Sequence, residues 1–239
     1  FSLSISAIQA QDFMPLDEAV FQRIIAEKIS QSKEDKEKAL LLLAESEYWI
    51  ARDSAKSQAL ILAAQTLAKG DARREAYCKY YQALLSAHRK QNKEAIQAYE
   101  ECIAALKNSK EADDNFLLSK AYYNLAYLHF PNDGYDAMVN VLTTQCLPIA
   151  KKINNKELEA YFLTQLGLTF MSVAQLDKAL EYHMQALPLL EGLPQNSPVP
   201  LITYMNLVSD YCYKPDSKSA KTYLDKATAI AQKYPNSQY

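Results

Sequence analysis

YFLTQLGLTFMSVAQLDKALEYHMQALPLLE, residues 161–191, decides how this chain folds. Its apolar residues recur three and four apart on either side of a small-residue hinge at Ala174-Gln175, the pattern of two amphipathic helices in antiparallel succession. Leu166, Gly167 and Phe170 fall in the first helix; Ala179 follows the glycine by twelve residues and Ala186 comes seven later. Small residues facing each other across a hinge imply that two helices approach closely. A leucine at Ala179 should overpack that seam by roughly 1–3 kcal/mol.

The same spacing runs along the chain. Ala55, Ala95, Ala137, Ala179 and Ala220 are separated by 40, 42, 42 and 41 residues, and seven beyond them stand Leu62, Cys102, Thr144, Ala186 and Ala227. Twelve before four of these alanines are Leu43, Ala83, Gly167 and Val208, whereas Ala126 precedes Ala137 by eleven, a shortened hinge. A fixed period of this length signals a solenoid, in which each helix pair buries its faces by stacking on its neighbours.

Helix signals fill in the remaining boundaries. Ala19, Val20, Ile24, Ile25 and Ile29 lie at helical spacing and predict a capping helix over 16–29. Five pairs follow, over 37–50 with 54–68, 72–88 with 93–106, 115–129 with 135–151, the opening stretch, and 199–211 with 217–233. Gly70 stops the first pair, and Phe-Pro-Asn-Asp-Gly at 130–134 is too rich in turn formers to stay helical. Residues 1–11, FSLSISAIQAQ, are apolar and small, then give way to Asp12 and Pro15. They resemble the tail of a secretory signal peptide cut after Ala10, although Ile8 is larger than the residue preferred at its position. The alternative is an ordinary N-terminal segment packed on the first repeat.

Composition excludes several function classes. Four Gly and nine Pro among 239 residues, with abundant Ala, Leu, Lys, Glu and Gln, favour helix throughout. A net charge of -2 with interspersed signs offers no surface for nucleic acid, whose binding draws on clustered Lys and Arg. No run approaches the roughly 18 apolar residues that span a bilayer. Cys78, Cys102, Cys146 and Cys212 have no zinc-ligand spacing and read as buried thiols, with Cys78 and Cys102 placed where one helix pair could join them. His88, His129 and His183 lack Cys, Asp or Glu partners at metal-ligand spacing, and no Gly-rich loop could cradle a phosphate. His183 falls four residues after Ala179, a packing position. The expectation is a protein with no catalytic residue, metal or cofactor.

The pattern resembles a tetratricopeptide repeat (TPR) array over about residues 35–233, carried in the opening stretch by Leu166, Gly167, Phe170, Ala179 and Ala186. Leu163 stands at the Trp-type position and Glu191 at the terminal Pro position, and the period of 40–42 exceeds the usual 34 or so. The longer unit is similar to that of kinesin light chains and Rap-type bacterial peptide receptors. The resemblance implies an all-α fold, a right-handed α-solenoid of about five TPR-like antiparallel helix pairs. Residues 1–11 would be a signal-peptide remnant and 12–239 a single superhelical domain, with repeats at about 35–70, 71–108, 113–152, 155–192 and 198–233.

In such arrays the first helix of each pair lines a concave groove. Asn124, Gln165 and Asn206 immediately precede the leading Leu of repeats three, four and five, and would form a ladder of amides for an extended peptide backbone. The alternative is that they bond within the repeat. Tyr81, Tyr123, Tyr127 and Tyr161 on first helices could supply apolar area with a hydroxyl, and Lys120 could meet a ligand carboxylate. Three amide bonds at about 0.5–1.5 kcal/mol each fall short of the roughly 8 kcal/mol of micromolar binding, so aromatic pockets must contribute. The resemblance implies a non-catalytic module for a protein or extended peptide. It is expected to be the exported, periplasmic sensing or scaffolding region of a bacterial signalling or transcription-regulating protein. It would meet no nucleic acid, touch membrane only through segments outside this sequence, and be capable of self-association. A cytoplasmic Rap-like peptide receptor and a free periplasmic adaptor are the alternatives.

Overall fold

The structure, a computed structural model, describes residues 13–237 apart from the side chains of 132 and 133. The stretch read as a signal-peptide remnant lies outside the described residues. Every regular element described is helical: α1 (Glu18–Gln31), α2 (Asp35–Trp49), α3 (Ser54–Ala68), α4 (Ala72–His88), α5 (Asn92–Leu106), α6 (Ala112–Val141), α7 (Leu147–Lys152), α8 (Lys156–Ser172), α9 (Leu176–Ala186), α10 (Val199–Tyr213) and α11 (Ser217–Lys233). They divide between two compact units, one built from 13–14 and Glu18–Leu128, the other from Pro15–Asp17 and 129–237.

Start and stop signals explain where the helices lie. The side chains of Asp53, Asp71, Asn155 and Asp216 each accept a backbone N–H from the first turn of the helix they precede, replacing partners that the helix cannot provide there. Three helices end alike: Gln91, Asn155 and Gln175 donate their N–H to the carbonyls of Ser86, Ala150 and Phe170, five residues back. This closing geometry puts the preceding residue in the left-handed region, and Lys90, Asn154 and Ala174 accordingly have φ of 60°, 52° and 59°. The expected break near 130–134 falls at Gly134, whose φ of 74° and ψ of -176° interrupt α6. Beyond it, Leu142–Cys146 forms a widened turn in which the N–H of Leu147 bonds to the carbonyl of Leu142. Pro148 follows; it has no N–H to give Thr144, and its ring would press on that carbonyl in a regular helix.

In the first unit α1 packs on α2, and the pairs α2–α3 and α4–α5 stack through α2, α3 and α4. Ile25, Leu41 and Ala44 form a buried cluster, flanked by Phe21 and Ile29. Asp114 at the start of α6 is buried and ties that helix to α4. It accepts the Tyr77 hydroxyl at 2.9 Å and Arg73 Nε at 2.6 Å on one oxygen, and Ser109 at 2.7 Å on the other. In the second unit α8–α9 and α10–α11 are the packed pairs, joined through α8, α9 and α10.

The small-residue register holds in three pairs and shifts in two. Ala95, Ala179 and Ala220 are buried, with Cys102, Ala186 and Ala227 buried seven beyond. Ala55 and Leu62, aligned with them by period, are exposed; α3 instead buries Ser57, Ile61, Ala64 and Ala68. Ser57 and Ala64 therefore fill the two positions, Ser57 lying three residues into α3 as Ala95 does in α5. In the third pair Ala137 is half-buried and Thr144 exposed, while Met138, Leu142, Cys146 and Ala150 face inward around the widened turn.

Gly167 lies opposite a histidine. A Cβ at this position would sit 2.7 Å from His183 Cε1 and closer still to Cδ2 and Nε2. The ring belongs to a fully buried clamp joining α8, α9 and α10: Nε2 donates to the carbonyl of Thr164 at 3.1 Å, and Nδ1 meets Asp210 Oδ2 at 2.5 Å. Thr164 and Thr203 share a buried hydroxyl contact of 2.9 Å beside it. His183 packs, as its position implied, but also anchors both ring nitrogens. Cys78, Cys102 and Cys146 are buried thiols and Cys212 an exposed one, so no bridge joins Cys78 to Cys102. Burial pushes the Cys78 thiol up to about 11 and the Cys102 thiol up to about 12, leaving both protonated and unreactive at neutral pH.

Candidate functional site

A binding surface in this architecture must come from side chains that helix pairing leaves uncovered, because the remaining faces are consumed by stacking. In the first unit such a strip lies on the first half of α6, where Lys120, Tyr123, Asn124 and Tyr127 recur three and four apart and share a face. Tyr127 is 63% exposed, and its ring stacks on Tyr123 with centroids 6.4 Å apart and planes inclined by 28°. Tyr127, backed by half-buried Tyr123, presents an apolar ring face with a hydroxyl, suited to a partner's side chains.

Beneath this platform the polar members of the strip turn toward the protein. Asn124 Nδ2 donates to the Tyr80 hydroxyl at 3.4 Å, and Tyr80 is buried against Tyr81 and Tyr99 with edge contacts of 5.2 and 5.8 Å. Burial holds the Tyr99 phenol well above its ordinary range, opposed by a hydrogen bond with Asn124. Asn124 thus bonds to buried tyrosines of the preceding repeat, neither within its own repeat nor to open groove. Lys120 lies over three rings, 5.1 Å from the Phe13 centroid, 5.4 Å from Phe116 and 5.8 Å from Tyr80. A cation over ring faces is held by their quadrupoles; Lys120 meets aromatic carbon where a ligand carboxylate was expected. Tyr81 is 1% exposed and belongs to the core.

The second unit carries another strip, on α8 and α10, which pack side by side. Gln165 is only 7% exposed, and Asn206 Nδ2 donates to the carbonyl of Ile202, one turn back in its own helix, at 3.0 Å. Tyr161 is half-buried, with its ring 5.5 Å from that of Phe162. The apolar groups that stand free here are Leu168 and Met205, both exposed. Sequence reading passed over them while following amides and tyrosines, yet their positions were available, three residues after Gln165 and one before Asn206. The structure therefore brings Tyr123 and Tyr127 together at the surface, and places Tyr81 and most of Gln165 inside.

No group of three or more His, Cys, Asp or Glu among the described residues is arranged to hold a metal ion. No described helix is long and apolar enough to cross a membrane.

No protein-family model and no curated protein matches the chain. Among solved structures the fold is similar to BtubC (BKLC) from P. vanneervenii, with TM-score 0.66 and 16% identity over 91% of this chain and 92% of that one. It is also similar to a signal transduction ATPase with a tetratricopeptide repeat sensor from Pyrococcus horikoshii, with TM-score 0.70 and 15% identity over 92% of this chain and 34% of that one. A Rap protein complexed with competence and sporulation factor gives TM-score 0.60 and 14% identity over 91% of this chain and 70% of that one. By fold, the chain is an all-α, TPR-like array of antiparallel helix pairs.

Proposed function

We propose that this chain is a non-catalytic TPR-like module that binds a protein or an extended peptide on the uncovered faces of its first helices. The observation that carries this reading is exposed Tyr127 on α6, whose ring stacks on half-buried Tyr123. The fold agrees with it, since the Rap protein of similar fold was solved with competence and sporulation factor bound. In the second unit, Leu168 of α8 and Met205 of α10 are separately exposed apolar groups. We place the module outside the cytoplasm, in a sensing or scaffolding role, on the signal-like sequence at 1–11. A mature N-terminus at Gln11 in the natural host supports that placement, and an uncut one refutes it.

Binding is tested on an array of synthetic peptides, followed by affinity measurement of any captured peptide against Tyr127→Ala and Tyr123→Ala. Each ring removed from a contact should weaken binding about tenfold, given roughly 0.5–1.5 kcal/mol for an aromatic pair beyond its area. Unchanged affinity in both variants rules the platform out. Asn124→Ala is a poor probe, because it also leaves the buried Tyr80 hydroxyl without that partner.

A further inference from the structure

The segment before α1 docks on the last helix pair in a manner that a separate peptide could reproduce. Within the second unit, Leu16 is 2% exposed and forms a buried cluster with Leu201 of α10 and Ala227 of α11, ringed by Tyr204, Ile230 and Tyr234. Its backbone N–H donates to the carbonyl of Asn196 at 2.7 Å. The side chain of the same asparagine donates to Asp17 Oδ1 at 2.8 Å. The segment is not helical at Leu16, and Pro15 before it offers no N–H to any sheet or helix. One main-chain bond, one leucine and one carboxylate thus make up these contacts with residues some 180 positions away.

The receiving surface is made by the last helix pair and the connection before it. Ala227 is the small residue at which α11 stacks, Leu201 lies on α10, and Asn196 sits in the connection before α10. Leu201 and Ala227 sit on the packed α10–α11 pair. The pocket is apolar where the leucine enters and offers an amide at its mouth where the carboxylate lies. Recognition by one extended main-chain bond with an apolar anchor and an adjacent polar contact is the chemistry of a short peptide motif.

We propose that the Leu201–Ala227 pocket with Asn196 is a binding site for an extended peptide of another protein presenting leucine followed by an acidic residue, and that Leu16 and Asp17 fill it in cis. A segment of the same chain competes at an effective concentration that an outside peptide must exceed, so the outside peptide binds only where the internal one is weakened. The site is separate from the Tyr123–Tyr127 platform and shares no residue with it. Either can fail alone.

The test uses the full chain and a fluorescent peptide of residues 11–19, QDFMPLDEA, followed by anisotropy. The Leu16→Ala chain is expected to bind this peptide at least about tenfold more tightly than the unaltered chain, the factor set by losing one buried leucine from the competitor. Replacing the peptide's leucine with alanine should abolish binding, and adding Asn196→Asp to the Leu16→Ala chain should do the same through repulsion of the peptide carboxylate. Equal binding by the two chains, or retention by the alanine peptide, overturns the proposal. A measurement independent of any variant is amide hydrogen exchange in the unaltered chain. The Leu16 N–H should exchange at least about a hundredfold faster than the Leu207 N–H in the core of α10, reporting release without unfolding. Equal protection at both sites shows a strap that leaves only when the unit unfolds, and also overturns it.

Discussion

Gly167→Ala should destabilise the second unit, and removing the opposing histidine should reverse the sign of its effect. The added Cβ would fall 2.7 Å from His183 Cε1 and closer to Cδ2 and Nε2, against ordinary contact at 3.4–4 Å, so the ring must retreat by about 1 Å or more. It cannot do so freely, because Asp210 and Thr164 hold it at both nitrogens and both its own and the Asp210 side chain are fully buried. Overpacking costs about 1–3 kcal/mol, and losing the Thr164 hydrogen bond in the interior adds about 1–3 kcal/mol. Against these stands a gain of about 1 kcal/mol from replacing glycine within a helix. The expected net loss is about 1–5 kcal/mol. In a His183→Ala background the space is open, only the helix gain remains, and the same substitution should stabilise by about 1 kcal/mol. Urea unfolding followed by circular dichroism at 222 nm on the four proteins of this cycle should give a coupling of about 2–6 kcal/mol. A Gly167→Ala protein within 0.5 kcal/mol of the parent, or an equal cost in both backgrounds, refutes the reasoning.

Three further outcomes are expected. Ser57 is fully buried at a position where other pairs have alanine, and its hydroxyl has no hydrogen-bond partner; Ser57→Ala should stabilise by about 1 kcal/mol, read as a raised urea midpoint. Ala174 holds a φ of 59° that costs a non-glycine residue about 1–2 kcal/mol, partly offset by the greater unfolded-state entropy of glycine; Ala174→Gly should stabilise by about 0.5–1 kcal/mol in the same assay. Burial, with the Asp114 carboxylate beside it, holds the Tyr77 phenol above its ordinary range. The folded state therefore keeps a proton that the unfolded chain loses near pH 10. That contribution is fully present below about pH 10 and falls by about 1.4 kcal/mol per pH unit above it. Midpoints measured from pH 8 to 11 should fall less steeply in Tyr77→Phe.

The surface strips show where sequence reading ran out. Periodicity placed Tyr81, Tyr123, Tyr127 and Asn124 on first helices, but one helix turn carries residues toward its pair partner, the next pair and open space alike. Tyr81 went into the core against Tyr80, Asn124 turned to the Tyr80 hydroxyl, and Tyr127 stands exposed, stacked on half-buried Tyr123. Leu168 and Met205 were overlooked because isolated apolar residues on a helix normally read as core.

Local chemistry was legible because it acts over a few residues. The helices, the break at Gly134 and the small residues Ala95, Ala179 and Ala220 follow from propensity, turn chemistry and the repeat. Tertiary structure alone decided the rest. The buried register in α3 falls at Ser57 instead of Ala55, three residues into the helix as Ala95 is in α5, and Pro148 follows a widened turn. Gly167 was read as small for the sake of Ala179, but it is small because His183 fills the space in front of it. Which side chain fills a gap depends on how three helices meet, and no spacing along one helix encodes that.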